Sequence, residues 1–298
     1  MALRMLTEKT GYFEGPVTVG VHYPEPGQAI LIDSGSDDSA ARKLAGHFEK
    51  EGTRVRAIVN THSHADHCGG NAHLQKRTGC QVYARGIEAA LIRDPELEPM
   101  YLYGGGPLEA LQNKFLQASP TETVHRVEPG PLQVAGATLD LIDLAGHSPG
   151  MVGVRTPDDV LFLGDGLLSR ETAEKHRILY HFNLGRMLEA LDRIETLQAT
   201  HVVLSHGGLC TELQAVLEDN RRRLESLNEA ILRLTARPQG REALLEQVLA
   251  EFDLNPPLPL YYLNLGTLSS HLAWLCSQGL LEARMEAGGA RYVRMLPE

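Results

Sequence analysis

The segment Thr61-His62-Ser63-His64-Ala65-Asp66-His67-Cys68-Gly69-Gly70 decides how the rest of this chain is read. It follows directly on an apolar run, Val55-Arg56-Ala57-Ile58-Val59, and sets three imidazoles and a carboxylate at positions 62, 64, 66 and 67. Imidazole nitrogen and carboxylate oxygen are natural ligands of borderline divalent metals, zinc above all. A strand that ends in such a cluster and then breaks at two glycines presents its ligands on a loop at the edge of a sheet. Residues 62 and 64 share one side of an extended segment and 66 and 67 fall on the turn behind it, so one loop can serve two metals. A histidine tract can also be a tag scar, but a scar sits at a terminus, with neither a strand before it nor a helix after it.

Outward from this segment the pattern alternates strands and helices. Upstream, 17–21 and 29–32 read as strands separated by Pro24, Pro26 and Gly27, and Asp33-Ser34-Gly35 closes the second. Asp37, Asp38 and Ser39 start a helix whose buried face is Ala40, Ala41, Leu44, Ala45 and Phe48. Downstream come a helix over 70–77 and a strand over 80–84. Residues 86–123 then lose the pattern at Pro95, Pro99, Gly104, Gly105, Gly106, Pro107 and Pro120, with one short helix expected over 108–117. Such an excursion reads as a lid or pocket wall, with Tyr101 and Tyr103 candidates to line it.

The second half repeats the theme of a strand delivering a polar residue. The run 138–144 ends at Gly146-His147-Ser148-Pro149-Gly150, 160–163 ends at Gly164-Asp165-Gly166, and 201–204 ends at Ser205-His206-Gly207-Gly208. A helix over 185–198 lies between the last two. Open α/β sheets bind ligands at such strand ends. From about 211 the character changes to a long helix, a second over 241–252, a third over 265–276 after Pro256-Pro257-Leu258-Pro259, and a hairpin turning at Gly288-Gly289. Three helices and a terminal hairpin suggest a winged-helix module. The expected division is a catalytic domain over 1–210, with 86–123 inserted, and a C-terminal domain over 211–298.

Composition limits the function classes. The chain has 298 residues, 43% apolar and 22% charged, with a net charge of −10; the acidic balance argues against a general nucleic-acid binder. Cys68, Cys80, Cys210 and Cys276 form no CxxC pair, so neither a disulfide framework nor a zinc knuckle follows. No signal-peptide core and no membrane-spanning run is expected, which makes the cytoplasm the default compartment.

With the ligand-bearing turns quoted, the chain resembles the metallo-β-lactamase superfamily over roughly residues 12–210. The H-x-H-x-D-H motif stands as His62-Ser63-His64-Ala65-Asp66-His67, and the later motifs match His147, Asp165 and His206, with Asp33 in the place of the family's structural aspartate. The resemblance implies an α/β fold of the αβ/βα sandwich type and two metals, zinc by preference with Mn or Fe open. It assigns His62, His64 and His147 to the first metal, Asp66, His67 and His206 to the second, and Asp165 to both. A metal-bridging hydroxide would then attack a small ester, thioester or lactone-type substrate. Asp66 would also accept the proton of the attacking water. In the segment after Asp165, holding His176, Tyr180, His181 and Asn183, Tyr180 or His181 is the expected substrate contact or oxyanion donor.

Departures narrow the choice. Flavodiiron relatives have Glu in place of His64, and nucleases of the β-CASP type need a whole domain where only about forty residues separate Asp165 from His206. Thiolate-type zinc β-lactamases carry Cys in place of Asp165, acyl-homoserine lactonases carry Tyr where Leu168 stands, and glyoxalase II has a different, glutathione-binding C-terminal region. The architecture is most similar to the lactamase-beta-2-like branch, some of whose members cleave single-stranded RNA. Against a nuclease, the third C-terminal helix holds no Lys or Arg over 265–276, and Arg284, Arg291 and Arg294 are offset by Glu282, Glu286 and Glu298. The expected partners are a small-molecule substrate and, through the C-terminal module, the chain's own or a neighbouring catalytic domain, as in a homo-oligomer. A mononuclear-iron persulfide dioxygenase and a DNA-binding regulator are the competing readings. Cys68, His22, His47, His73, His125, His201 and His271 read as structural or exposed, and Arg221-Arg222-Arg223 as a solvated, ion-paired helix face.

Overall fold

The computed structural model describes residues 1–286 and 288–295; Glu298, invoked above as a charge on the hairpin, lies outside the described residues. Two sheets stack face to face. The first runs in chain order: β1 (Leu3–Met5), β2 (Thr10–Phe13), β3 (Val19–His22), β4 (Gln28–Ile32), β5 (Arg54–Val59), β6 (Gln81–Arg85) and β7 (His125–Val127). It is antiparallel up to β4 and parallel from β4 to β7. The second sheet has the order β13-β12-β11-β10-β9-β8. Its strands are β8 (Gly130–Val134), β9 (Ala137–Asp143), β10 (Val152–Arg155), β11 (Val160–Phe162), β12 (His201–Leu204) and β13 (Gly208–Cys210).

The period-2 alternation of strand side chains accounts for the layering. Ile30 and Ile32 of β4 point inward to meet Leu139, Leu141, Val154, Val160, Phe162 and Val203 of the other sheet. Ala29 and Leu31 point outward, against Ala41, Leu44 and Phe48 of α1 (Asp38–Glu51). On the far side, Ile142, Leu161, Val202 and Leu204 face Met187, Leu191 and Ile194 of a helix over Leu184–Thr196. The result is the expected helix–sheet–sheet–helix order. Asp37 caps α1 as its position predicts, accepting from the Ser39 and Ala40 amides.

The remaining helices are α2 (Ala65–Cys68), α3 (Asn71–Thr78), α4 (Gly86–Arg93), α5 (Leu97–Tyr103), α6 (Arg170–His176), α7 (Leu184–Thr196), α8 (Leu213–Leu234), α9 (Arg241–Glu251) and α10 (Leu258–Ser277). The insertion departs from expectation: its helices are α4 and α5, while 108–117 holds only a 3₁₀ turn over Glu109–Leu111. The third C-terminal helix starts at Leu258 rather than 265. Pro259 falls in its first turn, where a missing N–H costs nothing, and so opens the helix instead of breaking it. The short strands β1, β2, β7, β8 and β10 and helix α6 carry too little periodicity to be read from sequence.

After α10, β14 (Leu281–Glu286) and β15 (Gly289–Arg294) form an antiparallel hairpin. Leu227, Ile231, Leu244, Leu245, Val248, Leu268, Leu272 and Leu275 give α8–α10 a core of their own, to which Ile178 contributes. The first half of α8 nevertheless packs Val216, Leu217 and Leu224 against the second sheet's helical layer. In the insertion, Leu102, Leu111 and Leu116 pack with Tyr262 and Leu263, so α10 is the floor on which the 86–123 segment rests. Arg221 pairs with Asp192 and Glu195, and Arg222 and Arg223 with Asp219, as a solvated charged face would.

One constraint on the decisive segment is steric. A Cβ on Gly69 would run into the Ser36 and Ala65 carbonyl oxygens, and one on Gly70 into the Ser34 carbonyl oxygen. The Gly70→Ala protein is expected to lose about 1–3 kcal/mol of stability, the cost of overpacking a closed contact. The measurement is the urea midpoint at unchanged m-value.

Candidate metal centre

Each ligand candidate sits where a strand stops. β5 runs out into Asn60-Thr61-His62, after which 65–68 winds into α2 and turns Asp66 and His67 back toward the sheet. β9 leads to His147, β11 to Asp165 and β12 to His206. The structure brings all seven together. Three groups of ligand atoms lie within 4.8 Å of one another: His62, His64 and His147; His62, His67 and Asp165; Asp66, His67 and His206.

In the first group Nδ1 of His64 is 3.0 Å from Nε2 of both His62 and His147. Asp165 lies between the sets, with Oδ1 3.4 Å from His67 Nε2 and Oδ2 3.5 Å from Nε2 of both His147 and His206. Asp66 Oδ2 is 3.5 Å from His206 Nε2.

Electrostatics divides the cluster. Burial, reinforced by the neighbouring imidazoles, holds His62 far below the ordinary histidine value, and burial brings His64 and His147 to about 4 despite the nearby carboxylates. These rings are therefore neutral at pH 7, the form that offers a lone pair to a metal. Burial also disfavours protons on His67 and His206, but Asp165 overrides it, raising His67 well above its ordinary value and His206 to about 10. Burial works against charge on Asp66 too, and His67 with His206 still draws it down to about 2. The two carboxylates thus draw positive charge to this point. With His67 Nε2 and Asp165 Oδ1 buried and lacking any hydrogen-bond partner, the donor set fits divalent cations.

A second tier of side chains holds the ligands. Asp33, left-handed at φ 63°, is buried at the end of β4. It accepts from the Thr61 amide and hydroxyl, both at 2.8 Å, and from His67 Nδ1 at 2.9 Å. Asn60 donates to the His67 carbonyl and accepts from Asn71. Glu88 on α4 is fully buried; its Oε2 accepts from the Ser63 amide at 2.9 Å, and its Oε1 from the Ser148 hydroxyl at 2.8 Å and the Gly150 amide at 2.6 Å. It ties the loop of His62 and His64 to the loop of His147. Cys68 donates to the Ser63 carbonyl oxygen at 3.1 Å, a packing role.

Of the substrate-contact candidates, Tyr180 reaches the site. Its ring lies 5.6 Å from His64 and 5.5 Å from His147, and its carbonyl accepts from His147 Nδ1. Burial pushes its phenol up, so the O–H stays on. His181 is corrected. It is fully buried, donates Nδ1–H to the Leu179 carbonyl, and turns its ring against His271 of α10, 4.8 Å away. With Tyr180 facing the cleft, the next side chain along the segment faces the interior. Tyr101 lies beside Phe182 and shares the insertion's core with Tyr180, whereas Tyr103 packs at a tilt against Tyr262, on the C-terminal helix. His176 is exposed at the end of α6, and Asn183 caps α7. Sequence reading missed Glu88, Glu98, Asn60 and Asn71; an acid on the apolar face of the Ile87–Ile92 stretch was the one signal for the first.

A two-sheet sandwich with a histidine–aspartate cluster at its strand ends defines the class of fold and site to which this chain belongs. The chain belongs to the metallo-beta-lactamase superfamily, whose sequence profile matches residues 13–206. It is similar to a hydroxyacylglutathione hydrolase of Hyphomonas neptunium, 29% identical over 62% of this chain and 60% of that one. Another of that name, from Albidiferax ferrireducens, is 25% identical over 76% of this chain and 77% of that one. The chain thus spans about three fifths of the length of the first of these relatives. Among solved structures, a metallo-beta-lactamase family protein from Thermus thermophilus superposes with a TM-score of 0.77 at 22% identity, covering 98% of this chain and 100% of that one. A beta-lactamase domain protein from Burkholderia ambifaria gives 0.77 at 18%, covering 98% and 93%.

Proposed function

We propose that the protein is a dinuclear metallo-hydrolase, with zinc the preferred metal, acting on a small thioester, ester or lactone. The observation that carries this is the place of Asp165, one carboxylate within 3.5 Å of His147 from the first set of ligands and of His67 and His206 from the second. His62, His64 and His147 would hold one cation, and Asp66, His67 and His206 the other, with Asp165 shared. When bound, such a pair supplies Lewis acidity toward a carbonyl oxygen and acidifies water at neutral pH. The chain's own groups do the rest. Asp66, half-exposed at the cleft, would take a proton from water. The Tyr180 phenol, whose ring lies 5.6 Å from that of His64, would donate to a developing oxyanion. Tyr101 and Met100 of the insertion, with Phe182 of the segment after α6 beside Tyr101, would offer apolar contact to the acyl part.

Hydroxyacylglutathione is a thioester, so the relatives' name favours the thioester within this class, although the three helices and hairpin after 210 support a winged-helix-like domain instead of a glutathione site. That domain is read as packing on its own catalytic unit rather than on nucleic acid, because α10 carries no Lys or Arg. Four unpaired cysteines suit a reducing cytoplasm; among the described residues no helix is long and apolar enough to cross a membrane.

Exhaustive chelation is expected to abolish turnover of thioester and lactone probes, and two equivalents of zinc to restore it. The check is activity against measured metal content over a panel that includes single-stranded RNA and a persulfide with oxygen monitoring. Restoration by one iron with oxygen uptake would replace this reading.

A further inference from the structure

Five imidazoles point one nitrogen at the centre of the site, and the other nitrogen of each must be held if the ring is to keep its aim. For four of them the holder is plain. His62 Nδ1 donates to the Thr61 hydroxyl oxygen at 3.0 Å, His67 Nδ1 to Asp33 at 2.9 Å, His147 Nδ1 to the Tyr180 carbonyl at 3.0 Å, and His206 Nδ1 to the Pro16 carbonyl at 3.1 Å. All four are held at Nδ1 with Nε2 turned to the centre of the site.

His64 is turned the other way. Its Nδ1 faces the first group, which leaves Nε2 outward, buried and without a hydrogen-bond partner. The group it faces is Glu98 Oε1, 3.8 Å away. Glu98 is itself 5% exposed, and His64 is its one partner within ion-pair distance among the described residues. It belongs to α5, within the 86–123 insertion, and the neighbouring Leu102 anchors that helix on Tyr262 and Leu263 of α10. Among the described residues, no other carboxylate of the insertion after α4 comes within ion-pair distance of a ligand histidine.

We propose that Glu98 is the positioning residue for His64. It accepts the Nε2–H once Nδ1 is committed to the first metal, closing the remaining gap by a small inward movement of α5. Occupancy of the first site and the position of the insertion are then linked, because the same hydrogen bond serves both. A metal-loaded protein holds α5 over the cleft; a metal-free one releases it. By reciprocity, whatever pins the insertion also tightens the first metal.

This rests on the two-metal reading, and the experiment separates the two. Zinc affinity is measured by stepwise chelator competition, with amide hydrogen exchange of 97–103 followed in the metal-free and zinc-loaded full chain, for wild type, Glu98→Gln and Glu98→Ala. Circular dichroism confirms that each variant folds. Expected are slower exchange of 97–103 on zinc binding in wild type, loss of that response in Glu98→Ala, and a first-site affinity lower by about 10–100-fold. The second site should be unchanged. Glu98→Gln, which keeps an acceptor oxygen, should fall between the two. Wild-type affinity in Glu98→Ala, lid exchange indifferent to zinc in wild type, or a glutamine no better than alanine each overturns the proposal while leaving two-metal binding intact. Failure of wild type to bind two zinc ions overturns the two-metal reading as well.

Discussion

Replacing Asp165 by asparagine is expected to lower kcat/KM by roughly a hundredfold to ten-thousandfold and to leave the protein with one tightly held metal in place of two. The change is nearly isosteric, so the fold stays and the chemistry is what moves. A carboxylate presents lone pairs in both directions; here one oxygen faces His67 while the other faces His147 and His206. An amide presents one acceptor and one N–H₂ donor, and the donor end would face a cation. It also removes the negative charge that lets two dications sit side by side. Removing one preorganised electrostatic group from a reacting centre costs about 2.7–4 kcal/mol, a hundredfold to a thousandfold at about 1.36 kcal/mol per tenfold, and loss of the second metal extends the range upward. Metal content by mass spectrometry and steady-state rates on a thioester probe check it together. An asparagine variant with two metals and undiminished turnover would end the bridging assignment.

The reason this centre was legible in sequence is that four of its seven ligands are nearly contiguous and the other three each end a strand. A histidine or aspartate pinned between an apolar run and a glycine has few places to go: Gly164 and Gly166 flank Asp165, and Gly207 follows His206. The layered fold was legible for a related cause, since β4, β5, β9, β11 and β12 are buried strands with clear apolar patterns. Short edge strands such as β1 and β7 carry only three residues each, too few to show a period. Pro259 disguised the start of α10 because a proline means opposite things in the first turn of a helix and in its middle. His181 was misplaced by a residue: adjacency along the chain brought Tyr180 to the cleft, and chain alternation then sent His181 inward. The supporting carboxylates stayed invisible because Glu88 and Glu98 act across 25 or more positions of chain and have no spacing rule to betray them.

Glu88 is the residue whose removal should unsettle most of the structure around the first metal. Its carboxylate is buried without a cation and is stabilised by three donors, the Ser63 amide, the Ser148 hydroxyl and the Gly150 amide. These donors flank His62, His64 and His147, so one side chain sets the spacing between the two loops that supply the first site. Glu88→Ala leaves the donors unpaired in the interior at about 1–3 kcal/mol each, only part of which water can restore. A total near 3 kcal/mol is expected, which for a chain of this size lowers Tm by about 5 °C. Glu88→Gln is no gentle control, because its N–H₂ must confront either the Ser63 amide or the Ser148–Gly150 pair, both of which donate. Glu88→Asp is one methylene too short to reach both loops at once. Ser148→Ala removes only one of the three donors and should cost about 1 kcal/mol. In the double variant Glu88→Ala/Ser148→Ala the losses should fall short of their sum, the mark of a shared contact. Thermal melts of the metal-free proteins isolate this effect from metal binding, and cobalt spectra of the loaded ones report whether the His62–His64–His147 geometry has opened. A Glu88→Ala protein with wild-type Tm and an unaltered cobalt spectrum would mean that the loops are held by the sheet alone.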